Sequence, residues 1–334
     1  MRNRFHVGGS MDATEIEVQL KQVVECWERT QKQLAGYFVG NWRVVKMIYL
    51  GLLSGGHILL EGAPGTAKTS IAKAISKFSG CQFQRVQGAV DVQPADIIGI
   101  RVFEPSSGDF VLKKGPLYTN FLLIDEINRL TPKTQSAFLE AMSEKQATID
   151  GLTFPVSDPF IVIATQNFHE NEGTFPLIHS QKDRFMFSLV LERLDEDGEL
   201  EVLRRVNTGE LEWQEFFDNL NAHMDVETLR LMIRFVRSIT IDELILAYIR
   251  DIVVATRTHA DIRVGASTRA SIAFVKGIKA LAAIDNRRYA IPDDVKEIAP
   301  AVLRHRIELR SEARIRGITE EQIIQEILQT VTVP

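Results

Sequence analysis

Between Glu61 and Thr69 the chain reads EGAPGTAKT. Two glycines, a lysine and a hydroxyl residue at this spacing suit the cradling of a polyphosphate. Backbone N–H groups of such a loop wrap the phosphates, and the helix that follows points its positive end at them. Gly62 and Gly65 supply the conformational freedom of the turn, and Ala63, Pro64 and Thr66 complete it. Lys68 is placed to reach the β- and γ-phosphates. Thr69, followed by Ser70, is placed to put its hydroxyl on Mg²⁺. The usual pattern has glycine before the lysine, and here Ala67 stands there. Ala67 is expected where the chain already enters the helix; if its φ is negative there, a methyl group costs little and its N–H still donates.

A second set of residues fits the same chemistry. FLLIDEINR, residues 121–129, is an apolar run ending in adjacent carboxylates. Asp125 suits the magnesium side of a nucleotide site, and Glu126 is placed to activate a water for attack on the γ-phosphate. FIVIATQN, residues 160–167, ends in Thr165, Gln166 and Asn167. The Asn167 amide can orient that water or read the γ-phosphate; a plain turn residue is the alternative. In SQKDRF, Arg184 is either a structural ion-pair partner, with Asp183 the candidate, or a cation for a phosphate. GASTRAS opens a helix with Arg269 in its first turn, against the helix dipole, which an anionic partner would explain.

These residues must be held by particular elements. The run at 57–61 leads into the glycine loop, and residues 70–78 carry a helical pattern, so the loop sits between strand and helix. Apolar runs at 121–125, 160–165 and 184–191 alternate with helical patterns such as 134–142. Buried strands alternating with helices predict an α/β fold with a doubly wound parallel sheet. Two segments interrupt the alternation. Residues 100–114 form two arms around PSSG, and residues 147–156 form two arms around Asp150-Gly151; both read as inserted β-hairpins. Residues 1–12 read as a disordered or tag-like segment, 13–194 as the nucleotide-binding domain, 195–225 as a loosely helical linker and 226–334 as a small all-helical lid.

Bulk properties narrow the function. The 334 residues carry a net charge of -5, which argues against a global basic field for nucleic acid or anionic lipid. The apolar stretch 44–60 is broken by Lys46, Ser54, Gly55, Gly56 and His57, so it does not read as a membrane span. Cys26 and Cys81 lack metal-ligand spacing and fit reduced thiols in a cytoplasmic protein. His305, between two arginines, reads as a surface residue.

Taken together, these motifs resemble the AAA+ ATPases, and within them the MoxR family. The similarity runs through the loop with Ala67 before Lys68, LLIDEINRLTPKTQSAFLEAMSEKQATIDG, IVIATQN, EGTFPL (172–177), DRF and GASTRA. It covers the chain from about residue 35 to its end, and it departs from the family at Phe168, at 87–99 and in IHSQKDRF. The resemblance implies that Lys68 and Thr69 form Walker A, and Asp125 and Glu126 Walker B. It further implies that Asn167 is sensor 1, Arg184 the arginine finger acting on a neighbour's nucleotide, and Arg269 sensor 2. The hairpins match the helix-two and pre-sensor inserts of this branch. Also implied are ATP with Mg²⁺, a homo-oligomeric ring, by family analogy a hexamer, and a chaperone-like action on a separate client. Such clients often carry a von Willebrand factor type A domain with a metal site.

Two other readings compete. A DNA-translocating motor would use the basic run LRHRIELRSEARIRG at 303–317, although a solvated helix face or a subunit contact with acidic residues is the favoured explanation of that run given the acidic total. A nucleotide-gated scaffold would bind ATP and scarcely turn it over, a reading that Glu126, Asn167 and Arg184 argue against.

Overall fold

The computed structural model describes residues 13–167 and 173–334. The expected segment 1–12 and the family departure at Phe168 lie outside the described residues. Helices α1 (Ala13–Ala35) and α2 (Trp42–Ser54) lead into β1 (Ile58–Gly62), and α3 (Lys68–Phe78) follows the glycine loop. After β2 (Phe83–Gln87) and the short α4 (Pro94–Ile98) come the strands β3 (Gly99–Glu104), β4 (Asp109–Lys114) and β5 (Phe121–Asp125). Helix α5 (Pro132–Glu144) begins on a Thr131 cap whose hydroxyl accepts from the Thr134 N–H, with proline at its first position. Then come β6 (Gln146–Ile149), β7 (Leu152–Pro155), β8 (Ile161–Gln166), the single turn α6 (His179–Lys182) and β9 (Phe187–Leu191).

The central sheet has five strands in the order β2-β5-β8-β1-β9, and every pairing is parallel. Strands β1, β5 and β8 are buried on both faces because their runs are apolar up to their polar C-terminal ends, whereas the edge strand β2 is half-polar and largely exposed. On β1, Ile58 and Leu60 enter one core cluster and Leu59 the other; on β5, Phe121 and Leu123 part from Leu122 and Ile124 in the same way. All five C-terminal strand ends therefore lie on one edge of the sheet, and all N-terminal ends on the other.

Both hairpins stand outside this sheet as separate two-stranded units. β3 and β4 pair from Gly99↔Lys114 to Glu104↔Asp109 and leave Ile100, Val102, Phe103, Phe110 and Val111 exposed. β6 and β7 are joined through Asp150 and Gly151, both at positive φ (50° and 77°), as a tight hairpin turn requires.

The span 195–225, expected to be a loose linker, carries α7 (Glu196–Asn207) and α8 (Trp213–Asn219). Phe216, Phe217, Leu220 and Met224 are buried in the main core, so this stretch is packed structure. Beyond it lie α9 (Val226–Ser238), α10 (Glu243–Thr258), β10 (Ile262–Val264), α11 (Thr268–Ile284), α12 (Pro292–Leu303), β11 (Glu308–Leu309), α13 (Ser311–Ile315) and α14 (Glu320–Thr330). Side chains of Asp225, Asp242, Ser267 and Thr319 cap α9, α10, α11 and α14. These helices share one continuous hydrophobic cluster with α1, α2 and one face of the sheet.

Candidate functional site

The C-terminal edge of the sheet gathers the residues expected to hold phosphate. Gly62 ends β1 where an added Cβ would meet the Leu191 carbonyl oxygen at 2.6 Å, and Gly65 turns at φ 82° with open space beside it. The Thr66 hydroxyl donates to the Ala63 carbonyl within the loop at 2.9 Å. Lys68 Nζ donates to the carbonyls of Gly62 (2.9 Å) and Ala63 (2.7 Å) and to Asn167 Oδ1 (3.0 Å), which stretches it across the mouth of the loop. The Thr69 hydroxyl donates to Asp125 Oδ1 at 3.0 Å, and the Thr165 hydroxyl to the same oxygen at 3.2 Å.

Ala67 differs from the expectation. Its φ is +62°, in the left-handed region, so it caps α3 in the conformation that glycine normally supplies there. A side chain in that region costs roughly 1–2 kcal/mol. The loop carries this strain and keeps its course.

Glu126 also stands at positive φ (55°), fixed by its N–H donating to the Thr165 hydroxyl at 3.0 Å. Its carboxylate pairs with Arg129 Nε at 3.1 Å and lies 3.5 Å from Asn167 Nδ2. The strand-end pair Asp125–Glu126 and the polar end of β8 thus meet in one cleft of about 410 Å³ with the loop.

Sequence reasoning missed two parts of this edge. Arg85, on β2, lines the cleft and donates through Nε to Asp125 Oδ2 at 2.7 Å. Beside the cleft, and sharing loop residues 64–67 with it, lies a cavity of about 460 Å³ walled by Tyr37, Phe38, Asn41 and Leu194. Its apolar walls joined to a phosphate cradle have the form of a nucleoside pocket. The donor set suits Mg–ATP: the cradle has room at Gly65, Lys68 faces the loop mouth, and a hydroxyl and a carboxylate oxygen stand together as hard ligands.

Arg184 and Arg269 are elsewhere. Arg184 precedes β9 and so belongs to the N-terminal edge, about 17 Å from the other for a five-residue strand. It does not pair with Asp183. Its guanidinium donates to the Leu139 carbonyl at 3.0 Å and to the Ser143 hydroxyl, one turn apart on α5. The anionic partner of Arg269 is Asp183, at 3.2 Å. Arg184 and Arg269 line one cavity of about 380 Å³ with Lys145 and Lys276. Burial, with Arg237 and Lys145 nearby, holds Lys276 below the usual lysine range.

Behind that cavity is a buried network. Asp183 accepts from the Ser267 hydroxyl (2.9 Å) and from Arg306 Nε (2.9 Å), and Arg306 is 2% exposed. Burial alone would raise the Asp183 carboxyl; the Ser267 hydroxyl and the Arg306 and Arg269 cations outweigh it and hold the group below its ordinary value. Burial lowers Arg306 to about 10 against the pull of Asp183. His57 accepts from the Val162 N–H at Nδ1 (3.1 Å), so Nε2 carries the proton toward the Met142 carbonyl (3.2 Å); burial lowers this ring to about 4. His305 is not a surface residue: it is 7% exposed, contacts the Phe185 carbonyl through Nε2 at 3.0 Å, and burial drives it well below the usual histidine range.

The basic run at 303–317 is largely neutralised within the chain. Arg304 pairs with Glu321 at 3.4 Å, Arg314 lies 4.0 Å from Glu320, and Arg316 pairs with Asp261. With Arg306 internal, this run gives the DNA reading no support. No described helix is long and apolar enough to cross a membrane.

Residues 57–187 match the family described as ATPase family associated with various cellular activities, and residues 254–327 match the AAA lid domain. The chain is 40% identical to protein YeaC of Bacillus subtilis, over 89% of this chain and 91% of that one. It is 36% identical to Chaperone MoxR1 of Mycobacterium tuberculosis, over 93% of this chain and 83% of the relative. A crystal structure of a candidate ATPase from Cytophaga hutchinsonii superposes with a TM-score of 0.86 at 37% identity, covering 97% of this chain and all of that one.

Proposed function

The chain belongs to the MoxR-type AAA+ ATPases, and on that premise we propose that it is a Mg²⁺-dependent ATP hydrolase that works as a ring and remodels a partner protein. The observation that carries this reading is the split of the chemistry between two edges of one sheet. The loop, Asp125, Glu126 and Asn167 gather at one edge, while Arg184 and Arg269 share a cation-lined cavity at the other. A strand length separates them, so neither arginine serves its own chain's phosphates. A head-to-tail contact brings the cationic face of one protomer to the phosphate cleft of the next, and such a contact repeated around an axis closes a ring. By analogy with the family the ring is a hexamer.

In this reading the loop N–H groups and Lys68 bind the triphosphate, and the adjoining cavity takes the nucleoside. Thr69 and Asp125 would hold Mg²⁺, which supplies charge neutralisation at the β- and γ-phosphates. Asn167 orients the attacking water, and Glu126 takes its proton. The neighbour's Arg184 and Arg269 stabilise charge developing on the γ-phosphate; a finger of this kind contributes about 10³–10⁵ in rate. Arg184 must exchange its bonds to Leu139 and Ser143 for the phosphate, which ties its release to ring assembly. The relative named as a chaperone supports a remodelling role on a separate, cytoplasmic client, for which a von Willebrand factor A-domain protein is the family's pattern.

Mixing two inactive variants tests the shared site. Glu126→Gln lacks the base and Arg184→Ala lacks the finger, yet a mixed ring contains interfaces where one chain supplies Glu126 and its neighbour Arg184. Recovery of ATP turnover on mixing is expected. Mixtures that co-assemble and stay as inactive as each variant alone would overturn the trans arrangement.

A further inference from the structure

Two residues of the strand beside β5 tie the carboxylates of the cleft together. In the parallel register of β2 and β5, Gln87 lies opposite Asp125 and Arg85 opposite Leu123. Two positions apart on a strand, Arg85 and Gln87 project from the same face. Arg85 Nε donates to Asp125 Oδ2 at 2.7 Å, and its Nη2 donates to Gln87 Oε1 at 2.9 Å. Gln87 Nε2 then donates to Glu126 Oε2 at 3.1 Å. The result is an unbroken relay, Asp125–Arg85–Gln87–Glu126, along one wall of the cleft.

A plain edge-strand ion pair explains the first of these bonds. It leaves the amide bridge to Glu126 without a purpose, and a half-exposed pair of this kind contributes only about 0–1 kcal/mol to stability. The two ends also differ in a way that points to use: the Asp125 side chain is 6% exposed, while that of Arg85 is 52% exposed and reachable by solvent. The buried carboxylate is fixed and the cation that holds it is exchangeable. Asp125 Oδ1 faces the Thr69 hydroxyl at 3.0 Å, the side suited to a divalent ion, and Oδ2 faces Arg85.

We propose that Arg85 is a positioning residue that tunes how tightly Mg²⁺ is held at Asp125, and that Gln87 passes the position of Arg85 to Glu126. The inference rests on the nucleotide-site reading above. A guanidinium on one oxygen of Asp125 repels a divalent ion approaching the other. It therefore weakens Mg²⁺ binding and favours exchange of the metal–nucleotide complex. Its second arm fixes Gln87, and Gln87 fixes the Glu126 carboxylate that receives the proton. Removing the cation then has two effects of opposite sign: Mg²⁺ binds more tightly and turnover falls.

The test follows binding of a fluorescent, non-hydrolysable ATP analogue to the full chain across a Mg²⁺ titration, alongside steady-state turnover. Arg85→Gln is expected to lower the half-saturating Mg²⁺ by about 3- to 10-fold and to lower kcat by about 10-fold, with KM for ATP changed less than about 2-fold. Arg85→Lys keeps the charge and loses the fork, so its Mg²⁺ midpoint stays near the parent value while kcat falls. Gln87→Leu leaves the Mg²⁺ midpoint alone and lowers kcat. A Mg²⁺ midpoint in Arg85→Gln that is unchanged or raised overturns the proposal while the nucleotide reading stands. If the parent protein binds no analogue at any Mg²⁺ concentration, the nucleotide reading falls and this inference with it.

Discussion

At the C-terminal edge of the sheet, the paired carboxylates are held by cations that water can reach; at the N-terminal edge Asp183 is held both by an exposed cation, Arg269, and by a sealed one, Arg306. The Arg85 and Arg129 side chains that grip Asp125 and Glu126 are 52% and 43% exposed. The Arg306 side chain that grips Asp183 is 2% exposed, and His305 beside it is buried. Ion pairs open to solvent contribute little to stability and exchange readily, whereas removing one member of a buried pair leaves an uncompensated charge. The contrast teaches that the phosphate edge is held by exchangeable cations alone, while the arginine edge keeps a sealed Arg306–Asp183 anchor beneath Arg184 and Arg269, which stay open to new partners.

The largest expected effect belongs to the phosphate edge and should leave the fold alone. Lys68→Ala is expected to weaken binding of a fluorescent ATP analogue by at least about 100-fold, the order of a lost charge-assisted contact to phosphate. Its melting temperature should stay within a few degrees of the parent. Retained nucleotide affinity would remove Lys68 from the site.

Asp183→Ala reverses the pattern. It strands Arg306 in the interior and is expected to cost about 3–5 kcal/mol in chemical denaturation, with affinity for the analogue within a few-fold of the parent. A loss below about 1 kcal/mol would put the two edges on the same footing and break the comparison.

Acid should strike the arginine edge first. His57 is lowered to about 4 in the folded chain, against an ordinary 6.5. The unfolded state therefore takes up the proton first, and stability from the neutral ring is present above pH 6.5 and lost progressively as pH falls toward 4. For this one group the loss by pH 5 is about 2 kcal/mol; His305 adds to it in the same direction. Asp183, held below its ordinary value, contributes stability that is lost only at lower pH still, as pH falls through its folded value. Denaturation at pH 7 and pH 5 should show the drop, and His57→Gln should flatten part of it; equal stability at both pH values would refute the assignment.

The smallest effect is at the cap of α3. Ala67→Gly relieves a left-handed alanine at the expense of a more flexible unfolded chain, for a net gain of about 0.5–1 kcal/mol. Analogue binding should change less than about 3-fold. A destabilised Ala67→Gly would show that the methyl group contributes packing worth more than the strain.

What could be read from the sequence divides along similar lines. Asp125, Glu126 and Asn167 were legible because each ends or follows an apolar strand directly, and Lys68 and Thr69 because the glycine loop before them joins a strand to a helix; a parallel sheet delivers all these strand ends to one edge. Arg85 and Gln87 were not, because FQRVQ reads as an ordinary half-polar strand until its pairing with β5 is known. The cavity proposed for the nucleoside joins Tyr37 and Phe38 to Leu194, residues too far apart in the chain for any local pattern. His305 and Arg306 sit in a run of charges that looks solvated, and it is distant partners, Asp183 for Arg306 and the Phe185 carbonyl for both, that satisfy them inside. Ala67 was misread because spacing places a residue at a cap without giving the sign of its φ. The hairpins were visible from their turn residues, whereas the packing of α8 depends on an aromatic cluster that assembles only in three dimensions.

On the proposed action of Arg184 in trans, its placement opposite the glycine loop has a consequence for dosage. A dilute chain should load nucleotide and leave it intact, and specific activity should climb with protein concentration until assembly is complete. Cells could then govern this ATPase by how much of it they make, with no inhibitor needed to keep sparse copies idle.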